Sequence, residues 1–188
     1  PFSLKAWGED AWPNDPWGRN FAGTPPKKYG DWAWVQHMIT SMAPATGRMA
    51  VVLPHGALFR MGSEGKIRSK VLDLDLIEAV IGLGPNLFYG TSLAACIVVA
   101  RRRKPEDRRS KVLLVDASDL FRKGRNQNML DHEHVQVIFD AYERFSTVEG
   151  RSHVASLDEI RGQAGNLNLA GDVTKADDVD IPSVEAAT

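Results

Sequence analysis

The sequence predicts an α/β fold, and three observations support that prediction. Two apolar runs rich in β-branched residues, at residues 77–81 and 93–100, flank a bridge rich in Gly, Pro and Asn, as two strands joined by a loop would. Apolar residues at helical spacing stand before this pair and again after it, at residues 31–42 and 131–144. Strand and helix patterns therefore alternate along the chain, as they do in α/β domains.

The first element is a long, proline-rich loop over residues 3–30, which shows no apolar periodicity. Segments of this kind are typically lids or binding loops. The loop contains Trp7, Trp12 and Trp17, and two interpretations of these rings stay open. Either they pack the loop onto the body of the protein, or at least one of them faces a substrate.

The next element is a helix over residues 31–42, for which Asp31 would be the N-cap. Beyond Gly162 the sequence is rich in Gly, Asn and Asp and has weak periodicity, so we expect a loosely held end. The elements between them are predicted in chain order as a buried strand over residues 48–54, a helix over 64–74, the strand pair, a strand over 112–115 and a helix over 131–144.

The composition is that of an ordinary globular protein, with 43% apolar and 25% charged residues in 188. A net charge of -1 excludes a globally basic nucleic-acid-binding protein, so such a role would depend on local patches. Residues 101–125, the basic segment, hold ten Lys or Arg against four Asp or Glu, whereas residues 172–188 hold one Lys against five acids. We expect one domain over residues 1–168 and a flexible acidic tail over residues 169–188.

Cysteine and hydropathy patterns bear on the location of the protein. Cys96 is the single cysteine, which excludes an intramolecular disulfide, and its place in an apolar run predicts a buried, unreactive thiol. No apolar run approaches the roughly 18 residues that span a membrane. We therefore expect a cytoplasmic protein without a membrane segment.

His132-Glu133-His134 begins like a zinc-binding helix, but Gln136 occupies the second ligand position, so we predict no metal site.

Several sequence blocks occur in a specific order. They are DWAWVQHM at residues 31–38, RMAVVLPHGALFR at 48–60, EGKIR at 64–68, LGPNLFYGT at 83–91, KGRNQN at 123–128 and NLN at 166–168. With these blocks the chain closely resembles, from Pro1 to about Asn168, the modification (M) subunit of type I restriction-modification systems, a family of adenine-N6 DNA methyltransferases. The resemblance implies the C-terminal portion of a Rossmann-like, S-adenosylmethionine-dependent methyltransferase domain. In such a domain residues 76–100 would form a reversed hairpin at the edge of a mixed sheet.

The resemblance also implies roles for individual residues. Pro1 and Phe2 match the last two residues of the family's catalytic Asn-Pro-Pro-Phe/Tyr motif, so Phe2 would stack on the target adenine. Phe88 would be the second ring of the sandwich, whereas Tyr89 is expected to pack. Because a base inside a duplex cannot enter such a site, the enzyme would flip it out. The motif's Asn and the family's cofactor loop are expected upstream of this chain, so we expect the isolated chain to be inactive.

Four basic residues are candidate contacts to DNA. Arg60 and Arg68 lie in or beside the loop that follows the strand at 48–54, which is the side of the family's DNA cleft. The alternative for Arg68, which lies on a helix, is that it only forms an ion pair. Lys123 and Arg125 belong to the KGRNQN block, whose polar side chains suit contacts to the DNA backbone or bases.

Duplex DNA and the specificity and restriction subunits of a type I system are the partners that the resemblance implies. Unpaired strands of a truncated sheet would in addition favour self-association. One alternative function is a non-catalytic module that binds nucleic acid or another subunit through exposed aromatics and the basic segment. Another is a Rossmann-like methyltransferase that acts on RNA or protein.

Overall fold

The computed structural model describes residues 2–168, so Pro1 and the predicted acidic tail at residues 169–188 lie outside the described residues. The described residues form a five-stranded sheet with helices on both faces. The strands are β1 (Arg48–Pro54), β2 (Ile77–Leu83), β3 (Ala95–Arg101), β4 (Lys111–Ala117) and β5 (Ser152–Ser156). The helices are α1 (Asp31–Ser41), α2 (Ser63–Asp73), α3 (His132–Arg144) and α4 (Leu157–Gly162).

The sheet is mixed, and its strand order is β1-β3-β2-β4-β5. β2 and β4 are parallel, β3 is antiparallel to both β1 and β2, and β5 is antiparallel to β4. The predicted α/β fold with a mixed sheet is confirmed. The β2–β3 hairpin, however, does not lie at the edge of the described sheet, because β1 pairs along the other side of β3, with Arg48 opposite Arg101. The buried residues along β3 suit this interior position.

The two faces of the sheet are covered unequally. Helices α1, α2 and α4 pack together on one face, where Trp32 and Ile67 are buried against strand residues such as Val98. On the other face α3 packs through Ile138 and leaves Phe139 54% exposed. An apolar groove of ≈ 440 Å³ therefore runs between α3 and β1.

The long loop over residues 3–30 is held by two of its tryptophans. The indole N–H groups of Trp7 and Trp12 donate to backbone carbonyls of the same loop at 3.2 and 3.0 Å. Trp7 also lies against Gly30, where a Cβ would approach the ring within 2.7 Å. Trp7 and Trp12 are thus packed within the loop itself, whereas Trp17 is 70% exposed.

The end of the described chain differs from the expectation. β5 and α4 were not predicted, because a five-residue strand containing two serines and a histidine gives little apolar alternation. Residues 163–168 are also held firmly: Leu167 is buried and its N–H donates to the carbonyl of Leu58 at 3.0 Å. The chain after Gly162 is thus a packed strap up to residue 168.

Within residues 2–168, no helix combines the length and apolar character needed to cross a membrane. Over the same residues, no group of three or more His, Cys, Asp and Glu side chains is arranged to hold a metal ion.

Candidate functional site

Two aromatic rings from distant parts of the chain meet in the structure. The ring centroids of Phe2 and Phe88 are 5.6 Å apart and their planes meet at 76°, an edge-to-face contact. The pair that the resemblance implied is therefore brought together. In the structure the rings touch directly, whereas two parallel rings around a base need about 7 Å, twice the van der Waals distance of about 3.5 Å. A planar ligand would have to replace this contact.

The backbone beside Phe2 is fixed by a buried carboxylate. The N–H of Ser3 donates to Oδ1 of Asp31 at 2.8 Å, and the N–H of Gly30 donates to the carbonyl of Leu4 at 3.1 Å. Asp31 was predicted as the N-cap of α1, but Gly30 occupies that position and Asp31 is the first helical residue. Its carboxylate instead connects the turn after Phe2 to the start of α1.

Arg60 neutralises that carboxylate. Its Nη2 lies 2.6 Å from Oδ2 of Asp31, and its Nε lies 2.6 Å from Oε2 of Glu64. The guanidinium also lies 4.1 Å from the ring centroid of Tyr29. Burial raises the pKa of the Glu64 carboxyl above its ordinary value, and the Arg60 ion pair opposes that shift only in part. Because Arg60 is engaged on three sides, its predicted contact with DNA would require it to leave this cluster.

Arg68 is fully buried, so its predicted contact with DNA would require the side chain to leave the core. Its Nε donates to the carbonyl of Gly165 at 2.6 Å, and its Nη1 donates to the carbonyls of Ala57 and Arg60 at 3.2 and 3.0 Å. Burial lowers its pKa to about 10, so the side chain remains cationic at neutral pH. Arg68 therefore joins α2 to the C-terminal strap and to the loop after β1.

Phe88 lies in the aromatic loop, residues 84–94, which connects β2 to β3. The KGRNQN block, residues 123–128, lies directly against this loop. Both line a cleft of ≈ 370 Å³, whose walls include Phe88, Gln127 and Asn128. Gln127 and Asn128 contact the aromatic loop, whereas Lys123 and Arg125 are exposed to solvent. Of the candidate DNA contacts, these two cations are the accessible ones.

Tyr89 was expected to pack, but its side chain is 97% exposed. Gly90, which follows it, has a φ of 78°, a conformation that favours glycine. The tip of the aromatic loop therefore presents one ring to Phe2 and the adjacent ring to solvent.

Sequence reasoning missed three functional candidates. Asp31 was interpreted as a helix cap, and its interaction with Ser3 depends on tertiary structure that local patterns do not report. Gln127 and Asn128 belong to a block that was recognised by resemblance, and the signal that pointed to them was an unusually specific match in a surface loop.

A family model described as N-6 DNA Methylase matches residues 1–180. The chain is 37% identical over 193 aligned residues to the type I restriction enzyme MjaVII methylase subunit of Methanocaldococcus jannaschii, which covers 96% of this chain and 33% of that protein. The HindI methylase subunit of Haemophilus influenzae is 32% identical over 151 residues, covering 79% of this chain and 33% of that protein. The chain thus spans about a third of the length of these relatives.

The fold is also found in a solved structure. The type I restriction-modification system methyltransferase subunit from Streptococcus thermophilus superposes with a TM-score of 0.84 at 34% identity, covering 93% of this chain and 36% of that one. Agreement in fold accompanies agreement in sequence, and the family model extends over nearly all of the chain. The chain therefore belongs to the N-6 DNA methylase family.

Proposed function

We propose that this chain is part of a DNA adenine-N6 methyltransferase of a type I restriction-modification system. The observation that carries the proposal is the contact between Phe2 and Phe88 at 5.6 Å. The resemblance assigns these two residues to opposite faces of a flipped adenine. Random packing of two loops gives no reason for this particular pair to meet.

Stacking explains what the two rings contribute. The target amine lies inside the duplex, so the adenine must leave the helix and its lost stacking must be replaced. Stacking of a base on aromatic side chains contributes about 1–3 kcal/mol, whereas an aromatic edge contact contributes about 0.5–1.5 kcal/mol. Stacking of adenine on both rings therefore compensates for the lost Phe2–Phe88 contact and offsets part of the cost of removing the base from the duplex. The rings hold and orient the base, and proximity of this kind supplies much of the rate of a transfer reaction.

S-adenosylmethionine supplies the electrophilic methyl group in this chemistry. Two glycines that follow strands of the described sheet do not leave room for it. A Cβ at Gly56 after β1 would lie 2.5 Å from Arg60 Nη1, and a Cβ at Gly84 after β2 would lie 2.5 Å from Phe121, so both glycines are covered by the protein's own side chains. We propose that the cofactor site belongs to another part of the subunit. Calorimetric titration of this chain with S-adenosylmethionine should give no heat of binding, and micromolar affinity would contradict the proposal.

Lys123 and Arg125 are the residues that we propose for DNA contact. Both are exposed in the loop that borders Phe88. Lysine and arginine bind phosphate groups without reading the sequence, which fits a subunit whose target is chosen by a separate specificity subunit. These contacts would hold the duplex beside the aromatic pair.

The alternative of a non-catalytic module depended on exposed aromatics and on a free basic segment. Lys104 is paired with Asp75 at 2.6 Å, and Arg101 and Arg108 lie 3.2 and 3.4 Å from the buried Glu78. These three of the ten cations are therefore engaged within the domain. This favours the methyltransferase over the alternative.

The test uses the full-length subunit with its specificity subunit. Transfer of labelled methyl groups from S-adenosylmethionine to DNA is measured, and the product is digested to nucleosides to identify N6-methyladenine. Phe88→Ala should lower the rate by a large factor, whereas Phe139→Ala, a matched change on the exposed side of α3, should leave it nearly unchanged. Methylation of a different base, or an unchanged rate in Phe88→Ala, would contradict the proposal.

A further inference from the structure

We propose that Gln127 and Asn128 are positioning residues that set the backbone of the aromatic loop and thereby the ring of Phe88. This inference rests on the proposed role of Phe88 in binding a base. It concerns residues 123–128, which we name the brace loop.

Three donors of the brace loop bind three successive carbonyls. The side chain of Asn128 donates to the carbonyl of Pro85 at 2.9 Å, its backbone N–H donates to Asn86 at 2.8 Å, and the Gln127 side chain donates to Leu87 at 2.6 Å. These carbonyls immediately precede Phe88. The three bonds tie the backbone of residues 85–87 to the brace loop and so define the direction in which the chain enters Phe88.

Asn86 connects the aromatic loop to the brace loop in the opposite direction as well. Asn86 has a φ of 55°, in the left-handed region that most residues avoid. Its side chain returns a bond of 3.3 Å to the carbonyl of Asn126. Each neutral hydrogen bond contributes only about 0.5–1.5 kcal/mol, but several together can hold one loop conformation. The contacts therefore hold the loop in one arrangement.

The brace loop is itself anchored. Arg122 and Met129 exchange backbone hydrogen bonds of 2.9 and 3.0 Å that close it, and Nε of Arg122 lies 2.6 Å from Oδ2 of Asp131 at the N-cap of α3. At Gly124 a Cβ would lie 2.1 Å from the carbonyl oxygen of Gln127, so a side chain cannot fit there without moving the loop. Gly124, Gln127 and Asn128 of the KGRNQN block are thus explained by one structural task.

Loss of a brace-loop donor should affect the rate of methylation and the affinity for DNA differently. Removing a donor should disturb the position of Phe88 without removing the exposed cations Lys123 and Arg125. Misplacement by about 1 Å lowers a transfer rate by up to about 100-fold. We therefore expect kcat for methylation to fall while the KM for DNA stays within about twofold, because phosphate contacts dominate affinity.

The experiment uses Gln127→Glu and Asn128→Asp in the full-length subunit with its specificity subunit. Each change keeps the shape of the side chain, removes the donor and adds a negative charge, and the control below carries the same added charge. The rate of methylation is measured on DNA that carries the target adenine. Base flipping is measured on a second DNA with 2-aminopurine in that position, which has no C6 amine to be methylated and whose fluorescence reports unstacking and restacking of the base. The variants should show an altered fluorescence change on binding and a kcat lower by about 10-fold or more, in line with the cost of misplacement. Gln136→Glu, the same chemical change on exposed α3, is the control.

Three results would overturn the inference: unchanged kcat and fluorescence, a raised KM with unchanged kcat, or an equal effect in Gln136→Glu. The first two leave adenine methylation by the wild-type subunit intact and so leave the proposed function standing. Absence of N6-methyladenine with the wild type would remove the proposed function and this inference together. Hydrogen exchange of this chain adds a measurement independent of activity. Gln127→Glu should accelerate exchange in residues 84–94 and leave β2 and β4 protected, whereas unchanged exchange in the loop would also overturn the inference.

Discussion

The backbone N–H of Ser3 donates to the carboxylate of Asp31 over 2.8 Å, so the turn that follows Phe2 is attached to the first residue of α1. Because the same carboxylate is paired with Arg60 at 2.6 Å, the turn is connected through one cluster to the loop after β1 and to α2. The two aromatic rings are thus held from opposite sides, Phe2 by Asp31 and Phe88 by the brace loop.

Asp31→Asn should destabilise the fold. The change removes the charge that binds Arg60 while Glu64 still partners the guanidinium, so the expected loss is about 1.5–3 kcal/mol, the range for hydrogen bonds to charged groups. Urea unfolding of this chain measures it. Asp158→Asn is the matched control, because the pair of Asp158 with Arg161 is exposed to solvent and should contribute much less. Equal losses in the two variants would contradict the assignment.

Arg68→Ala should destabilise the chain by at least about 3 kcal/mol, since three backbone carbonyls lose their donor and a buried side chain leaves a cavity. Calorimetric unfolding gives the loss in Tm. To separate this role from DNA binding, the affinity of the folded full-length variant for DNA is measured at a temperature well below its Tm. A large drop in affinity without a loss of stability would restore the original prediction of a DNA contact.

Removal of the exposed cations should act on DNA affinity alone. Lys123→Ala and Arg125→Ala are each expected to weaken binding of the full-length subunit to all sequences alike and to reduce the slope of log K against log salt by about 1. Titrations at several salt concentrations measure that slope. Lys66→Ala is the matched control on α2. An unchanged slope in both loop variants would show that these side chains do not contact phosphate.

Most of the elements could be predicted from the sequence, because α1, α2 and α3 show helical spacing and β1 to β4 are strongly apolar. The features that the sequence did not predict depend on contacts between residues that are distant along the chain. The hairpin was predicted at an edge because nothing local reports that β1 pairs with β3. Arg68 looked like a surface cation because its three acceptors are backbone carbonyls, which have no sequence signature. Phe2 and Phe88 were paired through resemblance alone, since no periodic pattern relates them.

Cys96 should be unreactive in the folded chain. Burial raises the pKa of its thiol from 9.0 to about 12, and its Sγ lies 3.6 Å from the carbonyl of Leu53. The unfolded chain then loses this proton at lower pH than the folded chain, so the contribution of Cys96 to stability is complete below pH 9.0 and is lost as the pH rises towards about 12. Ellman's reagent at pH 8 should label the thiol only after unfolding. Rapid labelling of the native chain would contradict the burial of β3.

The apolar groove beside β1 should make the isolated chain self-associate. Among residues 2–168, β1 pairs with β3 alone, so it presents an open edge, and Phe139 next to it is 54% exposed. Unpaired backbone groups and a contiguous apolar patch both favour association. Phe139→Glu places a charge in the groove and should shift the chain towards monomer in multi-angle light scattering, without lowering its Tm by more than a few degrees. Leu74→Glu, an exposed apolar residue after α2, is the matched control and should leave the mass unchanged. A wild-type chain that stays monomeric at high concentration would contradict the prediction. If Phe139→Glu still associates, the contact is made by the open edge of β1 and not by the groove.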